Sequence, residues 1–238
     1  MLLARDPNGL IAFNKPAGVL SHPNRSADER RSLLQARYVE DGEYFEWSST
    51  AGMGAATHRL WLLNRLDSAT SGVILAATTA ELASEIRAHF KRKQIKKVYH
   101  ALVFGTPRQP AEQWRDRLAI EKRGGHIRTA VSAGHVPAES EMTVVRTNEG
   151  DPRLTLIQLE PRTGRSHQLR VQCAKRQLPI VGDQTYGDFA RNRAFAKATG
   201  EKRLFLHSQE TSFEYAFRGR PCEFRAVASL PAEFEKFL

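Results

Sequence analysis

Residues 64–77 read Asn64-Arg65-Leu66-Asp67-Ser68-Ala69-Thr70-Ser71-Gly72, followed by Val73-Ile74-Leu75-Ala76-Ala77. An apolar stretch, Leu60–Leu66, runs up to Asp67; small polar residues interrupt it, and an apolar run resumes after Gly72. A short continuous apolar run bounded by turn residues predicts a buried strand. Asp67 therefore falls on a loop between two core segments. Taken alone it supports two readings. It is either a turn former whose carboxylate bonds nearby backbone N–H groups, or a carboxylate held out for chemistry.

Upstream, Leu10-Ile11-Ala12-Phe13 predicts a strand that ends in a turn at Pro16-Ala17-Gly18. From Asn24 to Gly54 the pattern is irregular, with a helix expected around Ser32–Val39 inside a long surface connection. Downstream, Leu82, Ile86 and Phe90 recur at spacings of four, with Glu81 and Glu85 early and Lys91 and Arg92 late. That is an amphipathic helix over 79–92, matched to its own dipole and capped by Thr78 or Thr79.

Strands follow at Lys97–Phe104, Ser140–Thr147 and Leu154–Leu159, and two more between Leu204 and Ala228. Residues 106–137 carry Arg115, Arg117, Lys122, Arg123, His126 and Arg128 and suggest an exposed hairpin or loop. Many strands, few helices and no strand-helix-strand repeat predict an α+β fold, with a largely antiparallel mixed sheet flanked by helices and loops. The chain of 238 residues is expected to form one domain over 1–238.

Lysine and arginine number 36 against 26 acids, a formal charge of +10, which favours a polyanionic partner. Cys173 and Cys222 form no C-x-x-C pair, so free thiols in a reducing compartment are expected. No run approaches the roughly 18 apolar residues of a membrane span, and residues 1–10 are too polar for a leader, so a soluble cytoplasmic protein with no membrane partner is expected. Neither a phosphate loop nor a dinucleotide fingerprint occurs, and the eight histidines show no zinc-site spacing. No cofactor and no metal is expected.

Two further segments combine unusual residue types. In Lys96-Lys97-Val98-Tyr99-His100-Ala101, Tyr99 beside two lysines can stack on an unpaired base while the cations hold phosphate, or serve as an ordinary strand tyrosine. In Arg162-Thr163-Gly164-Arg165-Ser166-His167-Gln168-Leu169-Arg170-Val171-Gln172, a helix opened by Thr163 or Ser166 would put His167 and Arg170 on one face. That face is an anion site, or a solvated basic surface.

These segments, with Asn14–Pro23, Pro179–Gly187 and Arg203–Ser208, resemble in order and spacing the motif series of the RluA family of pseudouridine synthases. The resemblance runs from about residue 10 to 228, and its most specific part is the combination of R-L-D-x-x-T-S-G, T-G-R-x-H-Q-L-R and P-I-x-G-D-x-x-Y-G. The resemblance implies an RNA uridine isomerase acting on ribosomal or transfer RNA after base flipping. It implies Asp67 as the essential carboxylate and Arg65 as the residue that replaces the flipped nucleotide. It also implies Tyr99 as the tyrosine packed on the target base, Arg170 or Arg165 as the basic partner of the carboxylate, and Leu204 or Leu206 as a wall of the pocket. Lys96, Lys97 and His167 join these as expected RNA contacts. Many relatives carry His where Asn64 stands, and no N-terminal RNA-binding domain is expected ahead of the first motif. The expected protein is a monomer without an obligate protein partner.

Isomerising uridine breaks N1–C1′ and joins C5 to C1′, a reaction without redox or energy input, which fits the missing motifs. A catalytically silent RNA-binding protein would keep the basic surface without needing Asp67, and a glycoside hydrolase would want two carboxylates where one stands out. Because the charge excess is spread over several segments, RNA binding is expected to be backbone-dominated. For single-stranded RNA the log–log salt slope should be about −0.7 per phosphate neutralised, measured by titration from low to physiological salt; a flat response contradicts this.

Overall fold

The computed structural model describes residues 1–49, 56–123, 126–130 and 136–238. The chain forms two compact units, Met1–Ile95 with Glu210–Ala228, and Lys96–Gln209 with Ser229–Leu238.

The first unit contains β1 (Leu2–Arg5), β2 (Leu10–Lys15), a 3-10 turn (Ser26–Arg31), β3 (Arg37–Val39), β4 (Tyr44–Ser49), β5 (Ala56–Leu62), β6 (Ser71–Ala77) and α1 (Ala80–Lys91). Antiparallel ladders join β1 to β2, β2 to β6, β6 to β5, β5 to β4 and β4 to β3. All seven residues of β6 are buried, which is why its sequence is a continuous apolar run and not an alternating one. Helix α1 starts as expected: the Thr79 hydroxyl accepts from Leu82 N at 3.3 Å, and Leu82, Ala83 and Ile86 pack with Val73, Leu75 and Phe213 in the core.

No helix forms over Ser32–Val39. Tyr38 and Val39 instead pair with Phe45 and Tyr44 in the β3–β4 ladder, and the rings of Tyr38 and Phe45 meet edge-on at 5.0 Å. Aromatic and β-branched side chains gain cross-strand partners there, which overrides a weak local helix signal. The end of that expected connection, Thr50–Gly54, lies outside the described residues.

The second unit contains β7 (Lys96–Phe104), β8 (Ala111–Arg123), β9 (His126–Ala130), β10 (Val136–Thr147), β11 (Leu154–Pro161), α2 (Gln168–Lys175) and α3 (Phe189–Thr199). Its sheet runs in the order β7-β11-β10-β8-β9, antiparallel throughout. Within the basic stretch of residues 106–137, Ala119–Arg123 of β8 pairs antiparallel with His126–Ala130 of β9. Along β8, Trp114, Asp116 and Leu118 are buried while Gln113, Arg115 and Arg117 are exposed, the period of two of a half-buried strand. The side chains of Lys122, Arg123, His126 and Arg128 lie outside the described residues.

The chain closes with β12 (Leu206–Phe217), β13 (Arg220–Val227) and α4 (Ala232–Glu235); Glu210–Phe217 pairs antiparallel with Arg220–Val227. The α+β class with largely antiparallel pairing is as the sequence indicates. Cys173 is buried, Cys222 is half-buried, and both are free thiols. No helix among the described residues is long and apolar enough to cross a membrane.

Candidate active site

Asp67 lies half-buried on the loop between β5 and β6, and the backbone on both sides of it is tied down. The Ser21 hydroxyl donates to Leu66 O at 2.7 Å and accepts from Leu66 N at 3.0 Å. One residue past Asp67, Ser68 O accepts from Gly18 N at 2.8 Å and from the Lys15 ammonium at 3.0 Å. Lys15 Nζ also donates to Pro16 O at 3.0 Å and Val19 O at 2.7 Å, so its three N–H bonds are matched to three carbonyls. Thr70 N closes the loop on Asp67 O at 3.0 Å, and Asn64 Oδ1 accepts from Leu75 N at 2.7 Å.

Lys15 is 0% exposed. Burial lowers its pKa to about 8, with the negative charge of Asp67 opposing the shift, so the ammonium stays protonated at neutral pH. The segments Asn14–Pro23 and Asn64–Gly72 thus meet through backbone. Pro16–Ser21 is a cradle for Leu66–Ser68, and Asn64 has a structural task whatever side chain relatives carry there. Arg65 is exposed and acts electrostatically on Tyr38, whose hydroxyl burial pushes up to about 12. Tyr38 in turn stacks on His22 at 4.7 Å.

The remaining expected site residues belong to the second unit. Lys97 and Tyr99 alternate on one face of β7, both half-buried. Burial lowers the Lys97 pKa to about 8, and a Cβ on Gly164 would lie 3.9 Å from its Nζ, so the Thr163-Gly164-Arg165 loop passes directly over it. Lys96 is exposed and lies 3.3 Å from Glu160. Arg165 is also exposed, its Nε directed at Pro137 O at 3.4 Å. Leu204 and Leu206 are buried.

Helix α2 begins at Gln168, later than a start at Thr163 or Ser166 would give. His167 occupies the cap position in the left-handed conformation, φ 56°, with no side-chain cap. The physical reason is a competing network. Thr163 Oγ1 donates to Gln168 Oε1 at 2.7 Å, while Gln168 Nε2 donates to Glu139 O and Ser140 Oγ, both at 3.1 Å. Ser140 Oγ donates to Gln172 Oε1 at 2.8 Å, and Gln172 Nε2 reaches Asp116 at 2.9 Å. Asp116 is held between Gln172, Lys175 and Arg176. Burial pushes its carboxyl up, and these donors, Lys175 first, outweigh that and hold it below the usual carboxylate range.

Arg170 turns inward from α2. Its Nε and Nη2 donate to Asp183 Oδ2 and Oδ1 at 2.8 and 2.7 Å, a bidentate pair that is almost fully buried. Asp183 also accepts from Thr185 N at 2.8 Å and Tyr186 N at 3.0 Å. The Tyr186 ring lies 5.2 Å from the Arg170 guanidinium, and its hydroxyl shares a 2.8 Å hydrogen bond with His167 Nδ1. His167 and Arg170 therefore do share a face, and what they grip is the P-I-x-G-D-x-x-Y-G loop. Gly182 lets that loop close: at φ +77° a Cβ would stand 1.8 Å from Arg203 O.

Asp183, Tyr186 and Lys15 stand inside quoted motifs, yet their roles were not readable from spacing. The signal for Lys15 is a lone charge closing an otherwise apolar strand. A cavity of about 970 Å³ in this unit, lined by Phe104, Arg146, Asn148, Arg191, Phe195 and Phe237 among others, contains none of the motif residues. Its size does not make it the reaction site. Among the described residues no group of three or more His, Cys, Asp and Glu side chains could hold a metal.

Residues 9–175 match the RNA pseudouridylate synthase family. The chain belongs to that family. It is 31% identical over 226 residues to tRNA pseudouridine synthase C of Vibrio cholerae, covering 91% of this chain and 86% of the relative. It is 31% identical over 229 residues to the protein of the same name from Salmonella typhi, covering 92% and 82%. Human RNA pseudouridylate synthase domain containing 4 superposes with a TM-score of 0.67 at 22% identity over 98% of this chain and 90% of its own. The domain containing 1 protein gives 0.68 at 18% over 99% and 92%, so the fold is shared. Like other RNA pseudouridylate synthases, this protein is an isomerase that turns uridine in RNA into pseudouridine.

The Asp183 carboxyl is pushed up by burial, but Arg170 and the two backbone N–H groups hold it below its ordinary 3.8. A folded-state pKa below the unfolded one stabilises the fold at pH above the unfolded value, and that stability is lost as pH falls through the folded value. Asp183→Asn removes the buried bidentate carboxylate from Arg170 and should destabilise the fold at neutral pH by up to about 3–5 kcal/mol. Denaturant midpoints from pH 7 down to 3 should show that gap narrowing as the parent acidifies. A constant gap contradicts the assignment.

Proposed function

We propose that this pseudouridine synthase modifies a uridine of transfer RNA, with Asp67 as the catalytic carboxylate. The observation that carries the second part is the pinned loop. A turn that only had to reverse the chain would not require a buried ammonium and a buried hydroxyl fixing the residues on either side of one aspartate. A preorganised carboxylate does require it, because misplacement by an ångström forfeits much of the rate. The relatives called tRNA pseudouridine synthase C, alike over nine-tenths of the chain, support transfer RNA over ribosomal RNA.

The target uridine is extruded from its stack at a cost of roughly a few kcal/mol, least in loops. Arg65, exposed two residues before Asp67, fills the vacated space, and Tyr99 packs on the extruded base. The N1–C1′ bond breaks, the base turns in place, C5 joins C1′, the C5 proton leaves and N1 gains one. Asp67 acts as an anion, as nucleophile at C1′ or as base on the sugar. Arg170 is its basic partner in this reading. Arg165, His167, Lys96 and Lys97 contact the RNA, and Leu204 and Leu206 wall the base pocket. The family match over residues 9–175 runs through parts of both units, which supports one catalytic domain. A cytoplasmic monomer needing no protein partner fits this role.

Incubating the pure protein with unmodified transfer-RNA and ribosomal-RNA transcripts, then mapping pseudouridine, tests the substrate. Product is expected in transfer RNA, and product confined to ribosomal RNA overturns that assignment. In the same assays Tyr99→Phe should bind RNA more tightly than Tyr99→Ala, by roughly 1–3 kcal/mol for the lost stack. Equal affinities make Tyr99 a strand residue only.

A further inference from the structure

Helix α3 carries cations and no acid along its length. Its eleven residues, Phe189–Thr199, contain Arg191, Arg193 and Lys197 and no acid. Arg191 lies in the first turn, where the helix dipole disfavours a cation. Helix α1 in the same chain has an acid, Glu81, in its first turn instead. Elsewhere many exposed arginines are neutralised by neighbours, Arg59 by Glu46, Arg162 by Glu141, Arg218 by Glu81 and Arg225 by Glu210. Among the described residues Arg193 and Lys197 have no such ion pair, and both are exposed.

The third member of the row is aromatic. Phe189, Arg193 and Lys197 are spaced four apart, so they form one continuous line along the helix surface. Phe189 is 51% exposed, in contrast to Phe195 on the inner side of the helix at 6%. The helix is anchored independently of this line. Asp188 caps it by accepting from Ala190 N and Arg191 N at 3.1 and 3.0 Å, Asn192 donates to Asp183 O at 3.0 Å, and Phe195 packs edge-on against Phe205. Neither fold nor cap needs Phe189 outside, or cations unmatched.

We propose that the Phe189-Arg193-Lys197 line of α3 is an RNA-docking surface, taking one unpaired base on Phe189 and backbone phosphates on Arg193 and Lys197. Charge complementarity selects the occupant: an unneutralised basic row beside an exposed ring matches a polyanion with stackable faces. The surface acts on substrate affinity and takes no part in bond making. This inference rests on the chain acting on folded RNA and is independent of the role of Asp67.

The test measures binding of a folded transfer-RNA transcript over a salt series, with steady-state kinetics and thermal midpoints on the same preparations. Arg193→Gln combined with Lys197→Gln should lower the salt slope by about 1.4–1.8, the share of two phosphates. It should raise KM several-fold with kcat unchanged. Phe189→Ala should weaken binding roughly tenfold, and Phe189→Tyr should keep the parent's affinity. Variants with the parent's thermal midpoint, an RNA affinity within about twofold of it and an unchanged slope overturn the surface, as they would if the row served a protein. A parent that binds no RNA would instead overturn the reading beneath it.

Discussion

The Lys15 ammonium, fully buried among the carbonyls of Pro16, Val19 and Ser68, is the interaction on which the candidate site in the first unit depends. Removing a charge from water is costly unless every donor is matched, and here three donors meet three acceptors. One acceptor belongs to the residue after Asp67. The lysine thus converts a mobile turn into a fixed one, and Ser21 repeats the restraint on the residue before. The loop can hold an anionic side chain in a defined place because its backbone has no freedom left to follow that side chain.

The second unit solves a similar problem with a different pair. Arg170 could not be held near the sheet by packing alone, since a guanidinium buried without acceptors is disfavoured. Asp183 supplies a bidentate partner, and backbone N–H groups of Thr185 and Tyr186 complete the carboxylate's shell. Gln168 and Gln172 fix the same helix to the sheet through amides, so α2 is oriented by polar contacts more than by apolar ones. Its buried positions are largely Gln, Arg, Val, Leu and Cys, which is why its periodicity says little.

Patterns with strong periods were readable in the sequence. The apolar run of β6 and the i, i+4 spacing of Leu82, Ile86 and Phe90 in α1 each carry their structure locally. The Ser32–Val39 segment misled because its ladder partners, Tyr44 and Phe45, are decided by tertiary pairing. The start of α2 misled because Thr163 spends its hydroxyl on Gln168 and so does not act as a cap. Asp67, Tyr99 and Arg170 were singled out by motif and residue type. Lys15 and Asp183 were not, because their importance lies in three-dimensional partners that no spacing reveals.

The central claim is that the carboxylate on this pinned loop carries out the isomerisation. Its most direct measurement is release of tritium from transfer RNA labelled at uridine C5, by the parent and by Asp67→Asn at saturating RNA, since C5 loses its hydrogen only when pseudouridine forms. Asparagine keeps the local hydrogen bonding but supplies no anion. The expected result is tritium release by the parent and none by an Asp67→Asn protein that folds and binds RNA as the parent does. Near-normal release by that variant would contradict the account.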